Sequence, residues 1–223
     1  MPRRGEPLRS LYPRRLRAGD DHSPGRPLGL SRGPVPAAQW DYQLFYQENF
    51  AAAEAGLGGN VRATVKALFR AGDAAGRGQP AITAFVRANG GWFGPALPAP
   101  DLPRDGAVLT EEDENRYAAA LERNGFFGPD SWYMNAEANL AFARRAEANW
   151  RLTMPTLFLH AAHDWVCETI DSRLADPMRA NCLNLTEATA QSGHWMAQEK
   201  PTQVNAALAK WLAVQLPEIW PPA

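Results

Sequence analysis

The sequence predicts an α/β fold, a mostly helical stretch followed by two parallel strands and their helices, and three observations carry that expectation. Residues 155–160 read Pro-Thr-Leu-Phe-Leu-His, a short apolar run of the kind that forms a buried parallel strand, and 182–187, Cys-Leu-Asn-Leu-Thr-Glu, read as the next strand. Upstream of them the apolar residues recur at helical rather than alternating spacing. Asp164 and His194 fall on the loops just beyond the two strands. Both loops then lie at one edge of the sheet, where open α/β folds place their chemistry.

Taken in order, residues 1–36 carry eight arginines against Glu6, Asp20 and Asp21, a local charge of +5, so the remainder is -6 within a net charge of -1. This segment is expected to be irregular. A basic tail, an organelle-targeting segment, disorder and a reading-frame disruption around 19–36 all remain open for it. Residues 37–150 are expected to be helical with a long break. Val61, Val65, Leu68 and Phe69 give one apolar face, and Gly90-Gly91 with the Pro-rich run 95–103 mark a loop. Thr110 followed by Glu111-Glu112-Asp113 marks a helix start that should include Tyr117 and Leu121 and stop at Gly125. An Ala-rich helix is expected over 136–150. Residues 151–223 should hold the two strands and a final helix, 201–215, which opens on Pro201 and buries Val204, Leu208, Trp211 and Leu212.

Composition narrows the class. A chain of 223 residues with 45% hydrophobic content and eight tryptophans is long enough for a real core. The near-neutral charge and pI of about 6.4 give no footprint of a nucleic-acid surface, and no apolar run approaches a membrane span. Cys167 and Cys182 show neither metal-ligand spacing nor a disulfide framework, and no hydrophobic signal segment opens the chain, so a reduced cytoplasmic setting is the expectation. There are no internal repeats and no phosphate-binding glycine loop.

Asp164 and His194 are the candidate acid–base couple. A histidine removes a proton near neutral pH only if its other ring nitrogen is fixed in the right tautomer, and a carboxylate accepting that N–H does the fixing. The plainer alternative is that Asp164 caps a helix starting near Glu168 and His194 is an ordinary loop residue. His160 and His163 read as packing or surface residues, and His22 lies in a Pro/Gly-rich stretch.

Three motifs then resemble a known family. Gly193-His194-Trp195, Gln198, Lys200-Pro201, Val204-Asn205, Leu208 and Trp211-Leu212 resemble the C-terminal signature of the soluble-type epoxide hydrolases of the α/β-hydrolase fold. Asp41-Tyr42-Gln43-Leu44-Phe45-Tyr46-Gln47 is similar to the segment of their helical cap that carries one epoxide-polarising tyrosine. Gly125-Phe126-Phe127-Gly128-Pro129 with Trp132-Tyr133 and Asn135 resembles the segment that carries the other. The likeness runs from about residue 40 to residue 213. It implies an incomplete α/β-hydrolase fold, a helical cap followed by two C-terminal parallel strands and helices, acting on a small apolar epoxide with no cofactor. Tyr42 and Tyr133 would donate hydrogen bonds and then a proton to the opening oxygen, as a phenol with a pKa of roughly 10 can. Two departures bear on this assignment. Phe45-Tyr46 stands where relatives usually have Tyr-Phe, so Tyr46 competes with Tyr42, and Met134 stands where an Arg often follows the second tyrosine.

The family's mechanism also needs an aspartate nucleophile on a strand-turn-helix elbow ahead of the cap. No such motif precedes Tyr42, and His163-Asp164-Trp165 is followed by Val166-Cys167 where glycines would be needed. The expectation is therefore an N-terminally truncated chain with impaired epoxide hydrolysis. Gly29-Leu30-Ser31-Arg32-Gly33 matches G-x-S-x-G and would give a serine esterase with Asp164 and His194, but prolines flank it where an elbow needs a strand and a helix. A catalytically silent binding or interaction fragment is the reading from a different class.

Overall fold

The structure, a computed structural model, describes residues 38–95, 97–146 and 150–219. After a short 3-10 turn, helix α1 runs Asp41–Gly58 and kinks at Asn49, whose φ of -144° and ψ of 47° leave the helical region. Tyr42, Phe45 and Tyr46 lie one helical turn apart and are buried together with Ala53 and Val86, with Trp92 and Tyr133 packed against them. Arg87 ties the start of this helix down from outside. Its backbone N–H donates to Asp41 at 2.8 Å, and its guanidinium forks onto Glu48 at 2.8 and 2.9 Å.

Helix α2, Val61–Leu68, begins at Asn60, whose side chain accepts the Ala63 N–H at 3.1 Å. Among the described residues between Phe69 and Thr110 the helical elements are short 3-10 turns, at Ala74–Gly76 and Ile82–Phe85, in keeping with the glycines and prolines there. Helix α3, Glu111–Asn124, opens on a reciprocal capping box: Thr110 accepts the Asp113 N–H and Asp113 accepts the Thr110 N–H, both at 3.1 Å. It ends at Gly125, whose φ of 69° is a conformation that glycine adopts freely. Both ends agree with the sequence reading. Val65 of α2 packs with Val108 and Leu109 in a second buried cluster, flanked by Phe69, Tyr117, Leu121 and Trp195.

Helices α4, Phe127–Ser131, and α5, Ala136–Ala143, complete the helical region. The Ala-rich helix expected over 136–150 is thus a correction: it stops at Ala143, the one residue it buries, so little packing is there to prolong it, and 147–149 lie outside the described residues. Strand β1, Leu152–Ala161, and strand β2, Cys182–Ala190, pair in parallel, from Leu152 opposite Cys182 to Ala161 opposite Ala190. The crossover holds α6, Asp176–Asn181. Then come α7, Met196–Glu199, and α8, Pro201–Gln215, the latter with the bounds read from the sequence.

Burial departs from expectation in this part. A buried strand is expected over 155–160, yet 155–159 are only half-buried, Met154 before them and Leu183 of β2 are 56% and 59% exposed, and burial is complete only at the carboxyl ends, at His160, Ala161 and Ala190. Of the residues expected to be buried on α8, Val204, Trp211 and Leu212 are half-buried and Leu208 is 43% exposed. Among the described residues the sheet has two strands, and a floor that narrow covers a helix face only in part. No helix among the described residues is long and apolar enough to cross a membrane.

Candidate functional site

The parallel register brings the ends of β1 and β2 together, and the site is built on the loops that leave them. Ala162 N–H donates to Ala190 O and His163 N–H to Ser192 O, both at 2.9 Å, so the ladder continues past the strands and carries both loops side by side. Asp164 and His194 follow immediately. His194 Nδ1 lies 2.9 Å from Asp164 Oδ2, the reach the acid–base reading requires. The other carboxylate oxygen accepts the backbone N–H groups of Val166 and Cys167 at 3.0 and 2.9 Å. The alternative that Asp164 caps a helix near Glu168 is corrected here, since the next helix begins at Asp176 and the aspartate folds its own loop instead.

The electrostatics follow from this geometry. Burial alone would push the Asp164 carboxyl up, but the His194 bond and the Cys167 and Val166 amides together hold it below its ordinary value. The Asp164 bond, then contact with Cys167, raises His194 to about 10. The ring is an imidazolium at neutral pH in this arrangement, and its side chain is 48% exposed against 9% for Asp164.

The helical region holds both loops from the other side. Phe69 stacks between Tyr117 and Trp195, with ring centroids 4.9 and 4.0 Å away, and Trp195 Nε1 donates to Leu68 O at 2.8 Å. Trp165, beside Asp164, donates to Asp73 O at 2.8 Å. Glu199 accepts the Gly72 N–H at 3.1 Å and the Gly193 N–H at 2.7 Å with one oxygen, clamping the two backbones. That close approach needs glycine on both sides: a Cβ on Gly193 would meet Gly72 backbone atoms at 2.6 Å.

Tyr42 and Tyr133 meet edge to face with centroids 5.2 Å apart, and the Tyr42 hydroxyl accepts from Gln43 at 3.2 Å. Burial raises the Tyr42 phenol well above its ordinary value, with smaller contributions from Tyr133 and Cys167, so it is a neutral donor at all ordinary pH. Tyr46 also touches this group, stacked on Tyr133 at 5.3 Å, and its phenol is raised by burial and then by the Asp130 charge. Both Tyr42 and Tyr46 therefore pack on Tyr133 in one aromatic group.

Cys167 is the residue that sequence reasoning missed. Its spacing from Cys182 carried no message, yet its sulfur, an Asp164 oxygen and a His194 nitrogen all lie within 4.8 Å of one another. The available signal was its place three residues after Asp164, one turn of a tight loop. These three are also the group among the described residues that could share a metal ion, although the 2.9 Å Asp–His bond already employs both of those partners. His160 is structural, buried with its ring nitrogens 2.8 Å from Thr169 Oγ1 and Glu187 Oε1. Ser31 and His22 lie outside the described residues.

Comparison with known proteins accords with this geometry. No family model matches the chain. It is 30% identical over 208 residues to Bifunctional epoxide hydrolase 2 of Sus scrofa, covering 91% of this chain and 35% of that protein, and 29% identical over 194 residues to Epoxide hydrolase A of Mycobacterium tuberculosis, covering 82% and 58%. The crystal structure of Epoxide Hydrolase A from Mycobacterium thermoresistibile superposes with a TM-score of 0.57 at 29% identity, over 78% of this chain and 52% of that one. The chain belongs to the epoxide hydrolases of the α/β-hydrolase fold. It spans between about a third and somewhat over half of the length of these relatives, and its helices and two-stranded parallel sheet form part of that fold.

Proposed function

We propose that this chain carries the oxygen-polarising and water-activating parts of an epoxide hydrolase site, which adds water to a small apolar epoxide to give a vicinal diol. In this reading residues 37–150 serve as the cap, 151–223 as the C-terminal part of the hydrolase domain, and the basic segment 1–36 lies outside the described residues. The observation that carries it is the 2.9 Å bond between His194 Nδ1 and Asp164 Oδ2. Asp164 fixes the tautomer, His194 takes a proton from water once its own is lost, and Tyr42 and Tyr133 donate to the opening oxygen. Two unpaired cysteines are in keeping with a reduced, cytoplasmic setting.

The 223 residues as they stand lack the aspartate elbow of the family, and removing a nucleophile from a site that acts as a unit costs orders of magnitude in rate. We therefore infer that they hydrolyse epoxides poorly. The test compares diol formation from an aryl epoxide by this chain, by its His194→Ala variant and by a version extended upstream with an aspartate elbow. A large gain on extension, lost on Tyr42→Phe plus Tyr133→Phe, is expected. Robust turnover by the unextended chain would overturn the impairment, and an extended protein indifferent to both tyrosines would overturn their role.

A further inference from the structure

Cys167 is placed as a nucleophile would be. It is half-buried and free of any disulfide, its own N–H is anchored on Asp164 at 2.9 Å, and its sulfur shares a space of 4.8 Å with the Asp164 carboxylate and the His194 ring. Nucleophile, base and orienting carboxylate gathered within 4.8 Å have the membership of a covalent-catalysis constellation, at the looser spacing such groups take without substrate and with sulfur as the attacking atom. Cys182 provides a contrast within the same chain. It opens β2, opposite Leu152, about 25 Å of strand away from the His194 loop.

We propose that Cys167 is a His194-activated nucleophile toward electrophilic carbon, with Asp164 orienting the histidine. The thiol proton is the one His194 carries as its imidazolium, so the sulfur is a thiolate whose lone pair forms the new bond. With an epoxide, the C–S bond forms as the C–O bond breaks, the electron pair goes to oxygen, and the alkoxide takes its proton from Tyr42 or Tyr133, which is reprotonated from the His194 side. The product is a β-hydroxy thioether. Unlike the ester formed by a carboxylate nucleophile, it has no carbonyl for water to attack, so one equivalent of epoxide is captured and not released. The contact with Cys167 that helps raise His194 fits a sulfur–imidazolium pairing of this kind. The thiol assignment rests on the geometry alone, whereas capture of an epoxide rests also on the function proposed above.

The experiment is labelling of the full chain, with a chelator present, by iodoacetamide and separately by styrene oxide, with rates at Cys167 and Cys182 read by peptide mass mapping. Cys167 should react with iodoacetamide at least tenfold faster than Cys182, and His194→Gln should remove that advantage while the Cys182 rate, an internal check on folding, stays constant. Styrene oxide should add one equivalent at Cys167, and this should fall in Tyr42→Phe plus Tyr133→Phe while iodoacetamide labelling does not. Equal iodoacetamide rates at the two cysteines, or a Cys167 rate unchanged in His194→Gln, would overturn the proposal. His194-dependent iodoacetamide labelling without any styrene oxide adduct would uphold the nucleophile and count instead against an epoxide entering this site.

Discussion

Replacing Asp164 by Asn isolates the electrostatic core of the site. Asn keeps an oxygen for the Val166 and Cys167 amides, so the loop retains its own bonds, but it turns an N–H toward His194 Nδ1 where a carboxylate oxygen had been. The rise of His194 from 6.5 to about 10 corresponds to a gross preference for the charged ring of about 5 kcal/mol. Nearly half of that side chain is exposed and Cys167 supplies part of the effect, so solvent screening reduces the carboxylate's share to about 1–2 kcal/mol. The sign sets the window. His194 is raised in the folded state, so its contribution is complete below pH 6.5 and is lost as pH rises through about 10. Asp164 is held below its ordinary 3.8, so its contribution is present above that pH and fades as pH falls further. Asp164→Asn should therefore destabilise the chain most between about pH 4 and 6.5, with the penalty shrinking from there to about pH 10. Urea denaturation across pH 3–11 would measure it, with the His194 titration followed by NMR. A stability difference that is flat across that range, or a His194 pKa that stays near 10 in the variant, would refute the reasoning.

Three further outcomes are expected. Asp130 is 2% exposed and raised to about 6 by burial, opposed by its bond with Tyr46, and its Oδ2 has no hydrogen-bond partner. A raised folded pKa means stability that is complete below 3.8 and lost as pH climbs through about 6, so Asp130→Asn should stabilise at pH 8 by about 1–3 kcal/mol and change little at pH 4; a variant less stable at pH 8 would contradict this. Gly193→Ala, by forcing its Cβ against Gly72, should cost about 1–3 kcal/mol and release protection of the Gly72 amide in hydrogen exchange. Thr110→Ala should cost about 1 kcal/mol in urea denaturation by removing one half of the capping box.

How far the sequence spoke for itself depended on the range of the interaction. The ends of α3 were legible because Thr110, Asp113 and Gly125 act within a turn of themselves, and the bounds of α8 because Pro201 marks its start. The couple was legible because strand ends and loop positions place Asp164 and His194 with few intervening choices. Burial was not, since whether Leu208 or Met154 is covered depends on how much sheet lies beside them rather than on their own periodicity. Nor was the clamp at Glu199, which joins it to Gly72 across 127 residues, and no local pattern announces a carboxylate shared by two distant amides.

That clamp and its two tryptophan neighbours bear on how the site is held. Trp195 is anchored at Leu68, Glu199 at Gly72 and Trp165 at Asp73, so one six-residue stretch after α2 receives a hydrogen bond from, or gives one to, the loops of both members of the couple. The Asp164–His194 distance is consequently set twice, once by the strand ladder extended through Ala162 and His163 and once by this shared seat. A charge-assisted acceptor for two N–H groups is worth more than two neutral bonds, which places Glu199 among the stronger supports of the His194 loop. A couple held from both sides keeps its geometry even though, among the described residues, the sheet beneath it is two strands wide and largely uncovered.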